Sequence, residues 1–270
     1  LNLQPPTGIS SAQQRSALNL IQRFNDRHLA ARSEDDELSA RIAAYELAFR
    51  MQAAAPDLVD LSRETETTNR LYGINQPQTR EFGQRCLLAR RMIESGVRFV
   101  QLYSGDTNGW DAHNDILDNH SRHCRRTDLP VAGLLADLKQ RGLLDETLVV
   151  WGGEFGRTAY CQGKLTRENY GRDHHPRCFT TWMAGGGIKP GITYGKSDDY
   201  GYNIANPDGT PMLPKPEKDK WTPGTMHIHD RNATILHLLG IDHRRLTYRY
   251  QGRDFRLTDI HGQILKDILT

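Results

Sequence analysis

Three short segments concentrate the side chains that could do chemistry. Residues 105–113 place Asp111 two positions before His113. Residues 152–158 carry Glu154 and Arg157 among three glycines, and residues 171–176 carry Arg172, Asp173, His174 and His175. Carboxylates and imidazoles brought together in a cleft are the donor set for zinc, or for a divalent ion of similar preference. Glycines on both sides of Glu154 free the backbone there and aim its side chain at a partner, either a cation or Arg157. Neighbours in an extended segment point to opposite faces, so His174 and His175 cannot both face one ion. His174 is the favoured ligand, with Asp173 as its orienter. Arg157 and Arg172 could clamp an anionic substrate oxygen, or simply balance nearby carboxylates.

Plainer readings stand beside these. Asp111 and His113 could order a tight loop, and Thr158 could serve a local turn. His120 and His123, three apart, read as solvated or capping residues. Residues 226–230 alternate so that His227 and His229 share a face, which could make a further ligand pair. Alternatively, Asp230 caps the next helix with His229 packed beside it. Asp128, just before Leu129 and Pro130, reads as another N-cap.

These residues need elements to position them. Ser10 or Ser11 can cap a helix through about Leu29, with Leu18, Ile21 and Phe24 on one face. Asp35 or Asp36 opens a second, carrying Leu38, Ile42, Tyr45 and Phe49, that Pro56 should end. A third puts Phe82, Cys86, Ala89 and Ile93 on one stripe and stops at Gly96. Residues 97–103 read as a strand rich in β-branched and aromatic side chains. A helix should start at Asp128-Leu129-Pro130 and run to Gly142. Residues 147–151 are nearly all apolar, as in a strand covered on both faces. Together these form a parallel, right-handed βαβ unit. Residues 179–184 suggest a third strand, and 248–250 with 254–257 a hairpin across Gln251-Gly252. A helix over 230–240 and a last one over 264–269 complete the chain.

The expected class is α/β: a mixed, mostly parallel sheet flanked by helices, with a helical section over 1–96. The α/β part occupies 97–270 and is interrupted by a Pro- and Gly-rich loop at 197–226. In such a sheet ligands bind beyond the carboxyl ends of the strands, where the three polar segments would meet.

Bulk properties narrow the partners. Thirty-five basic against 33 acidic residues leave a formal charge of +2, no electrostatic case for nucleic acid or an anionic membrane. Mean hydropathy is −0.66, and no apolar run approaches the roughly 18 residues that insert into a bilayer. Cys86, Cys124, Cys161 and Cys178 lie too far apart for a zinc knuckle and are too few for a disulfide scaffold. The opening Leu1, Asn2, Gln4, Pro5 and Pro6 match neither an initiator methionine nor a signal peptide. The chain is therefore expected to begin partway through a longer protein.

The order of strand, Asp-x-His loop, helix, strand with a Gly-flanked acid, then His before residues 182–191 resembles the alkaline phosphatase superfamily. That superfamily includes phosphatases, phosphomutases, phosphodiesterases and sulfatases. More closely, Trp110-Asp111-Ala112-His113, residues 153–158, Gly171-Arg172-Asp173-His174 and residues 230–236 resemble a bacterial family of sulfatase-like proteins of unknown function. The resemblance implies a metal-dependent hydrolase of phosphate or sulfate esters, using a divalent metal, zinc or calcium. Asp111 and His113 would hold one ion, His174 or His175 would complete that site, and Glu154 would serve a second. Phe155 stands where that second site has a histidine. The nucleophile and a further Asp would lie upstream, in an N-terminal part of the same protein. Residues 97–103 and 147–151, apolar on both faces, would need a strand from there to complete the sheet. The substrate would be an anionic small-molecule or polysaccharide ester, and export from the cell is expected on the resemblance alone. The competing expectation is a non-catalytic metal- or ligand-binding protein that keeps the fold, which Phe155 favours.

Overall fold

A computed structural model describes residues 8–31, 36–105, 109–167, 169–206, 208–211 and 225–270. Helix α1 spans Ser11–Ala30, and Ser10 starts it with a reciprocal cap. The Ser10 hydroxyl accepts from the Gln13 N–H, while the Gln13 amide oxygen accepts from the Ser10 N–H. Helix α2, Asp36–Val59, runs through Pro56 rather than ending there. Proline at that point removes a donor only in the last turn, where little helix remains to be broken. Asp35, the other candidate opener of α2, lies outside the described residues.

The core forms where α3 (Glu66–Leu71), α4 (Arg80–Glu94) and α5 (Ile116–Gln140) meet. Tyr72, Phe82, Cys86, Leu87, Leu134 and Leu138 are buried together, with Val149 and Trp151 packed against them. Two glycines let the helices approach. A Cβ on Gly83 would sit 2.3 Å from the Tyr72 carbonyl oxygen, and one on Gly133 2.4 Å from that of Leu71. A charged network lies beside this core. Arg90, 4% exposed, meets Glu64 at 3.0 Å, Glu94 at 2.5 Å and Asp137 at 3.0 Å. The Tyr72 hydroxyl donates to Asp137 at 2.9 Å. Burial and the Asp137 carboxylate together push the Tyr72 hydroxyl far above its ordinary pKa.

The sheets differ from the expected class. Strand β1, Val149–Trp151, pairs antiparallel with β4, Trp182–Ala184; β2, Gly156–Cys161, pairs antiparallel with β3, Arg172–His175. Strands β5, Thr247–Tyr250, and β6, Arg253–Arg256, form the hairpin across Gln251 and Gly252, both at positive φ as such a two-residue turn requires. Among the described residues each sheet has two strands and all pairing is antiparallel. The mixed, mostly parallel α/β sheet is thus corrected to short antiparallel pairs among helices, and no parallel βαβ unit occurs among the described residues. Residues 97–103 form no strand, and Phe99 and Tyr103 are exposed. Their composition favours a pleated, half-buried surface, but strand formation needs a partner, and here none pairs with them.

Two helix boundaries are corrected as well. Helix α5 begins at Ile116, twelve residues before Asp128, and carries Pro130 inside it. Asp128 is therefore no N-cap. Helix α6, Ile228–Leu238, is capped by His227 rather than Asp230. The last helix reduces to a 3-10 turn at Lys266–Ile268. Much of the expected 197–226 loop, at residues 207 and 212–224, lies outside the described residues. None of the described helices is long and apolar enough to cross a membrane.

Candidate metal centre

The loop carrying Asp111 and His113 is held from two sides. On one side Trp110 donates its indole N–H to the Ser104 carbonyl at 3.0 Å. Its ring packs against His120, His123 and, edge-on, Trp151, with centroids 5.7, 5.1 and 6.2 Å away. Asn119 on α5 donates to the Gly109 carbonyl at 3.1 Å, and His120 Nε2 meets the Trp110 carbonyl at 3.2 Å. His123 is 4% exposed. These histidines brace the loop against α5, which corrects their reading as solvated or capping groups.

On the other side the segment entering β3 is stitched to the same loop. Ile116 N–H donates to the Tyr170 carbonyl and Arg172 N–H to the Ala112 carbonyl, both at 3.0 Å. Gly171 makes this approach possible, because a Cβ there would lie 2.0 Å from the His113 carbonyl carbon. The β2–β3 ladder then sets Arg157 opposite His174, and both reach Asp111.

One oxygen of Asp111 gathers three donors. His113 Nε2 lies 3.0 Å from Oδ1, His174 Nε2 3.1 Å and an Arg157 guanidinium nitrogen 2.5 Å. Asp111, His113 and His174 each present a ligand atom, and the three atoms lie within 4.8 Å of one another. Zinc–nitrogen and zinc–oxygen bonds of about 2.0–2.1 Å in a tetrahedron separate neighbouring ligand atoms by about 3.3 Å. The 3.0 and 3.1 Å from Asp111 to each imidazole are close to that edge, while the three atoms together are bounded by 4.8 Å, so binding one small ion draws them in. Two imidazoles and one carboxylate suit zinc; calcium takes about six to eight oxygen ligands and does not fit this set.

A second contact orients the His113 ring. His113 Nδ1 meets the amide oxygen of Gln162, which can only accept. With Gln162 accepting behind Nδ1 and Asp111 facing Nε2, the ring can take an ion at Nε2 once that nitrogen gives up its proton, Gln162 holding the other on Nδ1. The Gln162 hydrogen bond, against some desolvation and helped by Asp111, raises the His113 pKa above its ordinary value. Burial opposes ionisation of Asp111, but hydrogen bonds from His174 and Arg157 hold its carboxyl below the usual range. Phe155 packs edge-on against His174 with centroids 5.0 Å apart.

The other candidate residues lie elsewhere. Glu154 is 58% exposed and pairs with Arg157 at 3.1 Å, outside the three-residue group. His175 points away: it is 5% exposed, stacks on Tyr202 at 3.8 Å and contacts the Tyr202 carbonyl at 2.5 Å. Arg172 turns its guanidinium to the carbonyls of Thr158 and Ala159. Asp173 accepts from the His174 N–H at 2.7 Å and lies 3.9 Å from His113. His227 uses Nδ1 to accept from the His229 N–H at 3.2 Å, and Asp230 accepts from the His227 N–H at 3.0 Å. His227 and Asp230 thus cap α6, while the His229 ring lies 4.6 Å from that of His227 and 5.8 Å from that of His261, its Nδ1 buried with no hydrogen-bond partner among the described residues. Gln162 and Asn119 were missed by sequence reasoning, since an amide elsewhere in the chain carries no signal of the loop it will hold; Trp110 was noted only as part of a motif, without its bracing role. Residues 106–108 of the first polar segment lie outside the described residues.

Residues 1–269 match the model of a family described as "Protein of unknown function (DUF1501)". No curated protein and no solved structure matches the chain. Nothing indicates a sulfatase or the alkaline phosphatase superfamily, and the resemblance drawn from the motifs is corrected accordingly. It rested on the order strand, loop, helix, strand, and the first of those strands does not form.

Proposed function

We propose, for a chain that belongs to the DUF1501 family of proteins of unknown function, that Asp111, His113 and His174 bind one zinc-like divalent ion and that the site hydrolyses phosphate or sulfate esters. The observation that carries this reading is the convergence of two Nε2 atoms and one carboxylate oxygen, with Gln162 orienting His113 from behind. Three protein donors leave a coordination position open, as catalytic sites of this metal do. A divalent ion held there supplies polarisation of an ester oxygen and activation of water near neutral pH. Arg157, 25% exposed beside the same carboxylate, presents a guanidinium whose geometry matches a charged phosphoryl or sulfuryl group.

A second reading has its own observation. Arg157 already bridges Asp111 and Glu154 at 2.5 and 3.1 Å, as a purely structural ion pair would. In that case the protein binds a metal or ligand without catalysis, or the cluster is held by Arg157 alone. Elemental analysis of the purified chain, with assays on an aryl phosphate and an aryl sulfate, separates the readings. About one zinc per chain with ester hydrolysis that His174→Ala abolishes supports the hydrolase. Zinc without hydrolysis supports the binding protein, and no retained metal sinks both metal readings.

A further inference from the structure

Arg231 is weakly satisfied beside the other arginines. Arg90, Arg141 and Arg157 each meet at least two carboxylates, Arg91 meets Glu64 and two carbonyls, and Arg172 meets two carbonyls. Arg231, on α6, is half-buried, and none of the described carboxylates pairs with it. Among the described residues its guanidinium makes one hydrogen bond, a long one of 3.4 Å from a terminal nitrogen to Thr181 Oγ1. Its Nε is buried with no acceptor. Burial without a compensating charge lowers the pKa of this guanidinium from its ordinary value. An isolated buried cation is costly, and such costs persist where a ligand supplies the missing charge.

Thr181, the one described side chain that meets the guanidinium, lies at a sheet edge. Thr181 immediately precedes β4 and faces Gly152, the residue that follows β1. A Cβ on Gly152 would lie 3.0 Å from Thr181 Oγ1 and 3.3 Å from its methyl carbon. Any side chain at position 152 would therefore crowd the hydroxyl, and glycine keeps it open at an exposed edge. The donors available are the terminal N–H groups of the guanidinium fork, whose Nε is buried, with a threonine hydroxyl alongside. Such a fork matches two oxygens of a tetrahedral oxyanion.

We propose that Arg231 and Thr181, over Gly152, form a binding site for a phosphate or sulfate group. Glu154 and Arg157 follow Gly152 within five residues, so this site would recognise the charged group of an ester substrate or its released anion. That assignment of role rests on the proposed hydrolase; anion binding by Arg231 does not.

The test is calorimetric titration of the full chain, freed of metal with EDTA, with inorganic phosphate and then sulfate at constant ionic strength. Saturable binding is expected, weakened at least tenfold in Arg231→Met. Gly152→Val should weaken it similarly while leaving Arg231 in place. Without anions, Arg231→Met should melt at a higher temperature than wild type, because it removes an uncompensated charge; a merely structural arginine would give a lower one. His113→Ala should keep the anion affinity even though it loses the metal, which separates failure of this site from failure of the metal reading. Absence of saturable binding to the wild type, equal binding by Arg231→Met, or loss of binding in His113→Ala would overturn the proposal.

Discussion

Gln162 offers a sharp probe of the metal centre because it touches a ligand and not the ion. Its amide oxygen accepts from His113 Nδ1, so Gln162→Leu removes the acceptor while preserving bulk. The His113 ring then loses the contact that keeps its proton on Nδ1 and its Nε2 directed at Asp111, 3.0 Å away. Loss of such a supporting contact costs about 10- to 100-fold in metal affinity. The lower end applies here, because His113 is 37% exposed and water can replace part of the lost hydrogen bond. We therefore expect about a tenfold loss of zinc affinity, equivalent to about 1.4 kcal/mol. Gln162→Glu, which keeps an acceptor, should restore the affinity. Competition against a chromophoric chelator at fixed pH reads the change directly. Unchanged affinity in Gln162→Leu would refute the orienting role; a loss as complete as that of His113→Ala would mean Gln162 supports the fold rather than the ligand.

Three further outcomes follow from the geometry. Gly171→Ala should disrupt zinc binding while the helical core still melts cooperatively, because its Cβ would strike the His113 carbonyl carbon 2.0 Å away; near-ultraviolet circular dichroism with metal analysis reads both. Arg90→Met should destabilise the protein by about 1–3 kcal/mol in denaturant melts, since Glu64, Glu94 and Asp137 lose their shared buried partner but keep Arg91 or Arg141. His243, 4% exposed and bonded through Nδ1 to Thr258 at 2.9 Å, has its pKa lowered by burial. Its contribution to stability is present above the unfolded value of about 6.5 and is lost as pH falls through the folded value. Metal-free protein should thus lose stability on acidification below that point, and His243→Gln should flatten the dependence.

What the sequence conveyed depended on how local the signal was. The Ser10 cap, the α4 stripe ending at Gly96, and the hairpin at Gln251-Gly252 are encoded within a few residues, and each appears in the structure. Residues 97–103 have strand composition, but pairing is a non-local event that composition does not reveal. Helix α5 continues through Pro130 because its ends lie far from the proline and tertiary packing on α4 outweighs the local break. Asp111, His113 and His174 were expected to meet at the end of a parallel sheet, together with Glu154 and His175; they meet instead through the β2–β3 ladder and the backbone contacts around Gly171, without those two. The turning of His175 onto Tyr202 is a register effect of the β2–β3 ladder. Neither Gln162 nor the lone charge of Arg231 could be read in advance, because each acquires its meaning from a neighbour distant in sequence.

The central claim is that Asp111, His113 and His174 act as one metal site, and zinc stoichiometry tests it most directly. Purified chain, loaded with zinc and dialysed, should retain about one ion by elemental analysis. His113→Ala and His174→Ala should each lose it while keeping the wild-type far-ultraviolet circular dichroism. Wild-type protein that retains no zinc, or either variant retaining a full equivalent, would contradict the account.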